Sequence, residues 1–217
     1  MKASIMRHSR LFGESSTITI GVTSKPMEKP IIPTLAFKTA KSWNSWLAKN
    51  HAKPLGIWLR FFKKDSGEKS ITYAEALQEA LCYGWIDGQA NKGDEKSWIQ
   101  KFTPRRKNSM WSKRNIGYVE QLIKDGKMKP AGLKEFEDAK AGGRHKTAYD
   151  SPSNMEIPSD FLKELSKNKK AKAFFDTLNK SNTYAIAWRL QTAKKPETRE
   201  RRMEVILKMM KEGKKFH

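Results

Sequence analysis

Gly56-Ile57-Trp58-Leu59-Arg60-Phe61-Phe62-Lys63 is the stretch on which the fold turns. It is short, aromatic and apolar, with a glycine before it and the charged turn Asp65-Ser66-Gly67 after it. Such a run is too short for a helix and reads as a buried strand. Downstream, Trp85-Ile86-Asp87-Gly88-Gln89 and Ser97-Trp98-Ile99-Gln100-Lys101-Phe102-Thr103 flank the loop Asn91-Lys92-Gly93-Asp94-Glu95. Two such runs around a Gly/Asn/Asp loop predict a hairpin. Together the three runs predict a small three-stranded antiparallel sheet.

Helices surround these strands in the pattern. Thr39 caps a helix over 40–51, with Trp43, Trp46 and Leu47 at i, i+3, i+4. Thr72 and Glu75 form a capping box for a helix over 73–83, with Ala74, Leu77, Ala80 and Leu81 as its core face. Ser112 caps a helix over 113–125, and Pro130 opens another that stops at Gly142-Gly143. Beyond the turn-rich stretch 142–158, the chain reads as helices over 159–166, 169–179, 182–194 and 196–212. The expectation is an α+β fold. Residues 1–35 are a flexible extension, 36–143 an α+β domain, 144–158 a linker and 159–217 an all-helical domain.

The chain has 217 residues, with 44 Lys and Arg against 23 Asp and Glu, for a formal charge of +21. A field of that sign attracts polyanions, nucleic acid foremost. Cys82 is the lone cysteine, so no intrachain disulfide forms, which fits a reducing cytoplasm. It lies in an apolar helical stretch and reads as a small buried hydrophobe. No run of apolar residues is long enough to span a membrane. The four histidines are scattered without metal-ligand spacing, and neither a Walker loop nor a nucleophile elbow is present. The sequence therefore implies no cofactor and no metal, and points away from an enzyme.

Lys101 to Arg114 holds six cations and no acid, and leads into a helix N-terminus at Ser112. Backbone N–H groups and the helix dipole favour an anion there. Arg105, Arg106, Lys107, Lys113 and Arg114 are the expected phosphate-contacting residues. Trp111 suits either base stacking or a hydrophobic staple with Ile116. A rival site is an aromatic pocket for a small molecule, lined by Trp58, Trp85, Asp87, Trp98 and Trp111. A third reading is a protein adaptor acting through an exposed apolar patch on 182–210.

Several of these stretches also resemble a known family. They are Gly56-Ile-Trp-Leu-Arg-Phe-Phe-Lys-Lys64, Thr72-Tyr-Ala-Glu-Ala-Leu77, Tyr83-Gly-Trp-Ile-Asp-Gly-Gln89, Phe102-Thr-Pro-Arg-Arg106, Trp111-Ser-Lys113 and Met128-Lys-Pro-Ala-Gly132. With Ala193-Lys-Lys-Pro-Glu-Thr-Arg-Glu-Arg-Arg202, the ordered set resembles the YdeI/OmpD-associated bacteriocin-protection proteins over residues 36–215. The resemblance implies the same α+β and helical halves, a bacterial protein and a role in stress or bacteriocin resistance. It brings no catalytic residue. Direct capture of a cationic bacteriocin is disfavoured by the charge of +21.

Overall fold

The computed structural model describes residues 30–151 and 154–217, and Ile32–His217 form one compact unit. Most of the expected extension lies outside the described residues.

Strand β1 is Thr34–Ala36, β2 Ile57–Phe62, β3 Trp85–Lys92 and β4 Ser97–Pro104, in the spatial order β1-β2-β4-β3. The three expected antiparallel strands are β2, β4 and β3. The structure adds β1, parallel to β2 at the edge, with Thr34 beside Trp58 and Ala36 beside Arg60. A three-residue strand has no periodicity to read, and it begins inside the stretch expected to be an extension. Its pairing starts at Pro33, whose carbonyl accepts the Trp58 N–H at 2.9 Å. Proline lacks an N–H but its carbonyl still pairs. β3 runs past Gln89 to Lys92 through an irregularity between Asp87 and Ala90.

β2 alternates strictly. Ile57, Leu59 and Phe61 are buried, while Trp58, Arg60 and Phe62 face the other way and are half-exposed. On the buried face lie helices α1 (Ala40–Asn50), α2 (Tyr73–Cys82), α3 (Lys113–Lys124) and α4 (Pro130–Ala141). One hydrophobic cluster joins Trp43, Leu77, Trp85, Phe102, Val119 and Phe136 from all of them. The capping boxes at Thr39 and Thr72 form, the first closed by Ser42 and the second by Glu75. The core face of α2 differs from the expected one, since Ala76 is buried and Ala74 exposed. Ala76 sits under Trp43, whose Nε1 donates to the Ala76 carbonyl at 3.0 Å.

Gly56 has φ of +70°, and a Cβ there would lie 2.2 Å from the Phe102 carbonyl oxygen. Only glycine lets the chain enter β2 so close to β4.

The C-terminal helices are α5 (Ser159–Ser166), α6 (Lys169–Asp176), α7 (Lys180–Gln191) and α8 (Pro196–Lys211). α6 stops three residues earlier than expected because Asn179 caps the next helix, accepting the Asn182 N–H at 3.0 Å. Their core is separate, built on Phe161, Leu165, Ala171, Ile186, Leu190, Ile206 and Met210. Tyr149 and Asp150 touch both parts. Tyr149 bridges to Ser112 and packs edge-on to Trp188, and the Gln191 Nε2 donates to Asp150 at 2.7 Å.

Candidate functional site

After β4 the chain turns through Arg105–Trp111 into α3. The Ser112 hydroxyl accepts the Asn115 N–H at 3.1 Å, as the sequence predicts for this cap. Tyr149 clamps the turn, donating its N–H to the Trp111 carbonyl at 3.0 Å and accepting from Lys113 N–H at 2.9 Å.

Arg105 lies inside this turn and is only 8% exposed. Its guanidinium stacks 3.6 Å from the centre of the Trp111 ring. Nη1 donates to the Met110 carbonyl at 3.2 Å, while Nε has no partner among the described residues. Burial pulls its pKa down to about 10, with Glu135 the largest opposing influence. Trp111 is buried too, edge-on to Phe136 at 5.4 Å, and its Nε1 is likewise unpartnered. A buried donor without an acceptor costs roughly 1–3 kcal/mol, so two side by side are a strong local bias toward an acceptor group.

Asp87 is half-buried and accepts the Tyr73 hydroxyl at 2.6 Å. Burial raises the Tyr73 phenol, and that hydrogen bond raises it further. The field of Asp87 is felt at Arg105, Arg114 and Tyr149. Arg114 donates from Nε and Nη2 to the Tyr118 hydroxyl at 3.2 and 3.1 Å, the main reason its pKa is raised.

The five expected cations do not share one surface. Arg105 is interior, and Lys113 is committed to Asp150 at 2.7 Å. Arg114 is exposed but bound to a phenol rather than a carboxylate. Arg106 and Lys107 are exposed and form no ion pair among the described residues. Lys107 lines a cleft of about 850 Å³ with Lys134, Glu135, Asp138, Arg144 and Lys194. Two pairs neutralise part of it, Lys134 with Asp138 at 2.9 Å and Arg144 with Glu135 at 3.2 Å. Lys194 makes no ion pair among the described residues, so their charges leave the cleft a positive excess from Lys107 and Lys194.

The five residues expected to line one aromatic pocket are split, and that expectation is revised. Trp85 is fully buried between Trp43 and Trp46, and its Nε1 donates to the His51 carbonyl at 2.7 Å. Trp98 stacks on Phe61 at 4.6 Å. Trp58 is on the opposite face of the sheet, because odd and even positions of a strand point to opposite sides. Only Asp87 and Trp111 stay near Arg105. The tryptophans fill a core because their large apolar surfaces outweigh any gain from lining a cavity.

Tyr73, Tyr118, Tyr149, Arg144 and Lys194 escaped the sequence reading. Tyr73 carried a faint signal, as the first residue of a capped helix. Lys194 carried only the general signal of a basic C-terminal end, since its place on the cleft depends on how the helical part folds back. Cys82 is 3% exposed, and burial pushes its thiol up to about 11, which keeps it protonated at neutral pH. Among the described residues no group of His, Cys, Asp and Glu is placed to hold a metal ion, and no helix is long and apolar enough to cross a membrane.

The architecture is thus a mixed sheet with helices on one face, followed by a helical part, with a donor-rich turn where α3 begins. Residues 154–213, the helical part, match the family described as Bacteriocin-protection, YdeI or OmpD-Associated. Residues 35–135 match a second family, described as a domain of unknown function (DUF8412). The resemblance read from the sequence therefore divides at the join between the two parts. No curated protein and no solved structure matches the chain.

Proposed function

We propose that this is a cytoplasmic, non-enzymatic stress-resistance protein of the bacteriocin-protection type that works by binding a polyanion such as nucleic acid. The observation that carries the reading is the uncompensated charge of Arg106, Lys107 and Lys194, beside a cleft with cations to spare. Lysines and arginines outnumber acids 44 to 23, so neighbouring carboxylates cannot cancel this field. The family described for residues 154–213 supplies the link to bacteriocin protection. Affinity for heparin, duplex DNA or RNA should fall steeply between low and physiological salt. The double variant Lys107→Gln/Lys194→Gln should lower the slope of log K against log salt by about 2. A salt-independent affinity, or no binding at low salt, ends this reading.

A second reading has its own observation, the interior guanidinium of Arg105 with no carboxylate paired to it among the described residues. There the ligand is a small oxyanion. Inorganic phosphate should raise the melting temperature of the wild type and not of Arg105→Met. Equal shifts in both rule it out. The adaptor reading has less behind it, since Val205 is the one large hydrophobic residue of 182–210 that is well exposed.

A further inference from the structure

We propose that the sheet face opposite the helices, which no described residue packs over as a core, is a docking surface for single-stranded nucleic acid, with Trp58 and Phe62 as base-stacking platforms. The proposal rests on the polyanion reading and names the ligand class and the surface.

The face follows from the register. Trp58 stands opposite Lys101, and Arg60 opposite Ile99, on adjacent strands. Paired residues point to the same side of a sheet. Trp58, Arg60, Phe62, Ile99 and Lys101 therefore share the side away from Ile57, Leu59 and Phe61, which join the core shared with the four N-terminal helices. Each of the five is half-exposed. Trp58, Phe62 and Ile99 belong to neither hydrophobic cluster and do not pack against either. These aromatic rings are partly buried on the sheet but belong to neither core, so each keeps some apolar surface facing away from the helices.

The chemistry of the face selects the occupant. Lys101 Nζ lies 6.0 Å from the Trp58 ring centre, placing a cation beside a stacking platform. The second cation, Arg60, is held by Asp94 at 2.6 Å, which spends that carboxylate. At the edge, Thr34 is the small neighbour of Trp58. Trp58 and Phe62 are four residues apart on one strand, or ~13 Å. Rings at that spacing suit bases splayed from a single strand, whereas a duplex hides its base faces. Beyond Pro104 the chain continues to Arg106 and Lys107, at most ~22 Å of chain from Lys101. A strand whose bases stack on the sheet thus has unpaired cations within reach for its phosphates.

The test measures binding of labelled uridine and deoxythymidine oligomers, a duplex of equal length, and heparin to the full chain and to Trp58→Ala, Phe62→Ala and Trp58→Phe. Trp58→Ala should weaken single-strand binding by about 5- to 150-fold, leave heparin unchanged and be rescued by Trp58→Phe. Comparison of the two oligomers tells RNA from DNA. Should the alanine variant melt early, Lys101→Gln on the intact sheet gives the same answer through a selective loss of oligomer binding. If all probes bind and neither Trp58→Ala nor Phe62→Ala alters the oligomers, this proposal fails while the polyanion reading stands. If no probe binds at low salt, both fail. If Trp58→Ala instead breaks a dimer in sedimentation and leaves the oligomers alone, the face belongs to a second copy and the proposal is overturned.

Discussion

The α/β part buries Trp43, Trp85 and Trp111 at 2% exposure or less, whereas the core of the helical part holds no tryptophan and centres on Phe161, Leu165, Ile186 and Met210. Large amphipathic rings fill space well but bring an N–H that must find an acceptor. Trp43 and Trp85 find theirs in the carbonyls of Ala76 and His51, and Trp111 does not. The helical core avoids that demand with aliphatic side chains and phenylalanines, and Asn168 and Asn179 cap its helices. Among the described residues, two unmet donors, Arg105 Nε and Trp111 Nε1, therefore meet where the aromatic core joins an arginine turn, against one, Arg189 Nε, in the helical part. A core chosen for bulk leaves polar loose ends that a ligand can use, and a core of plain hydrocarbons leaves fewer.

The largest effects should come from emptying each core in turn. Trp43→Ala and Phe161→Ala should each destabilise by about 3–5 kcal/mol. Amide exchange separates the two. Trp43→Ala should speed exchange in β2 and β4 more than in α7, and Phe161→Ala the reverse. Equal acceleration everywhere would dissolve the contrast and make the chain a single cooperative unit.

A smaller effect is expected inside the helical part. Asn182 is buried, and its Oδ1 accepts the N–H groups of Phe216 and His217 at 3.0 and 3.1 Å. Asn182→Ala should cost about 1–3 kcal/mol in urea unfolding, because two donors lose their acceptor. An unchanged midpoint would mean that the chain end is not pinned there.

The smallest effect concerns the join. Hydrogen bonds from Lys113 and then Gln191 hold the Asp150 carboxyl below the usual carboxylate range. A depressed folded pKa stabilises the fold above the unfolded value of about 3.9. That contribution fades as pH falls from there through the lower folded value. Wild type should therefore melt above Asp150→Asn at pH 7, by up to about 1 kcal/mol, and the gap should close on acidification through that window. A gap that persists at low pH would assign the effect to shape rather than charge.

Much of the fold was legible because local signals agreed with the final arrangement. Thr39, Thr72 and Ser112 cap where their side chains reach the next free N–H, a matter of three residues. The hairpin and β2 were marked by aromatic runs and their bounding turns. β1 was missed, since three residues depend wholly on the strand they pair with. The candidate site was only half legible. Six cations in fourteen residues announce an anion, yet nothing local separates Arg105, folded under onto Trp111, from its exposed neighbour Arg106.

The sequence by itself determined the capped helices, the strands with a hydrophobic pattern, the strong positive charge and the lack of an intrachain disulfide, because each follows from neighbours in the chain or from composition. The tertiary structure alone decided which cations are spent, on Asp150, on Trp111 or on Tyr118, and which remain free. It also decided that Trp58 and Trp85 lie on opposite faces of one sheet. Those outcomes depend on register and on helices folding back from far along the chain, and such contacts have no signature in the residues beside them.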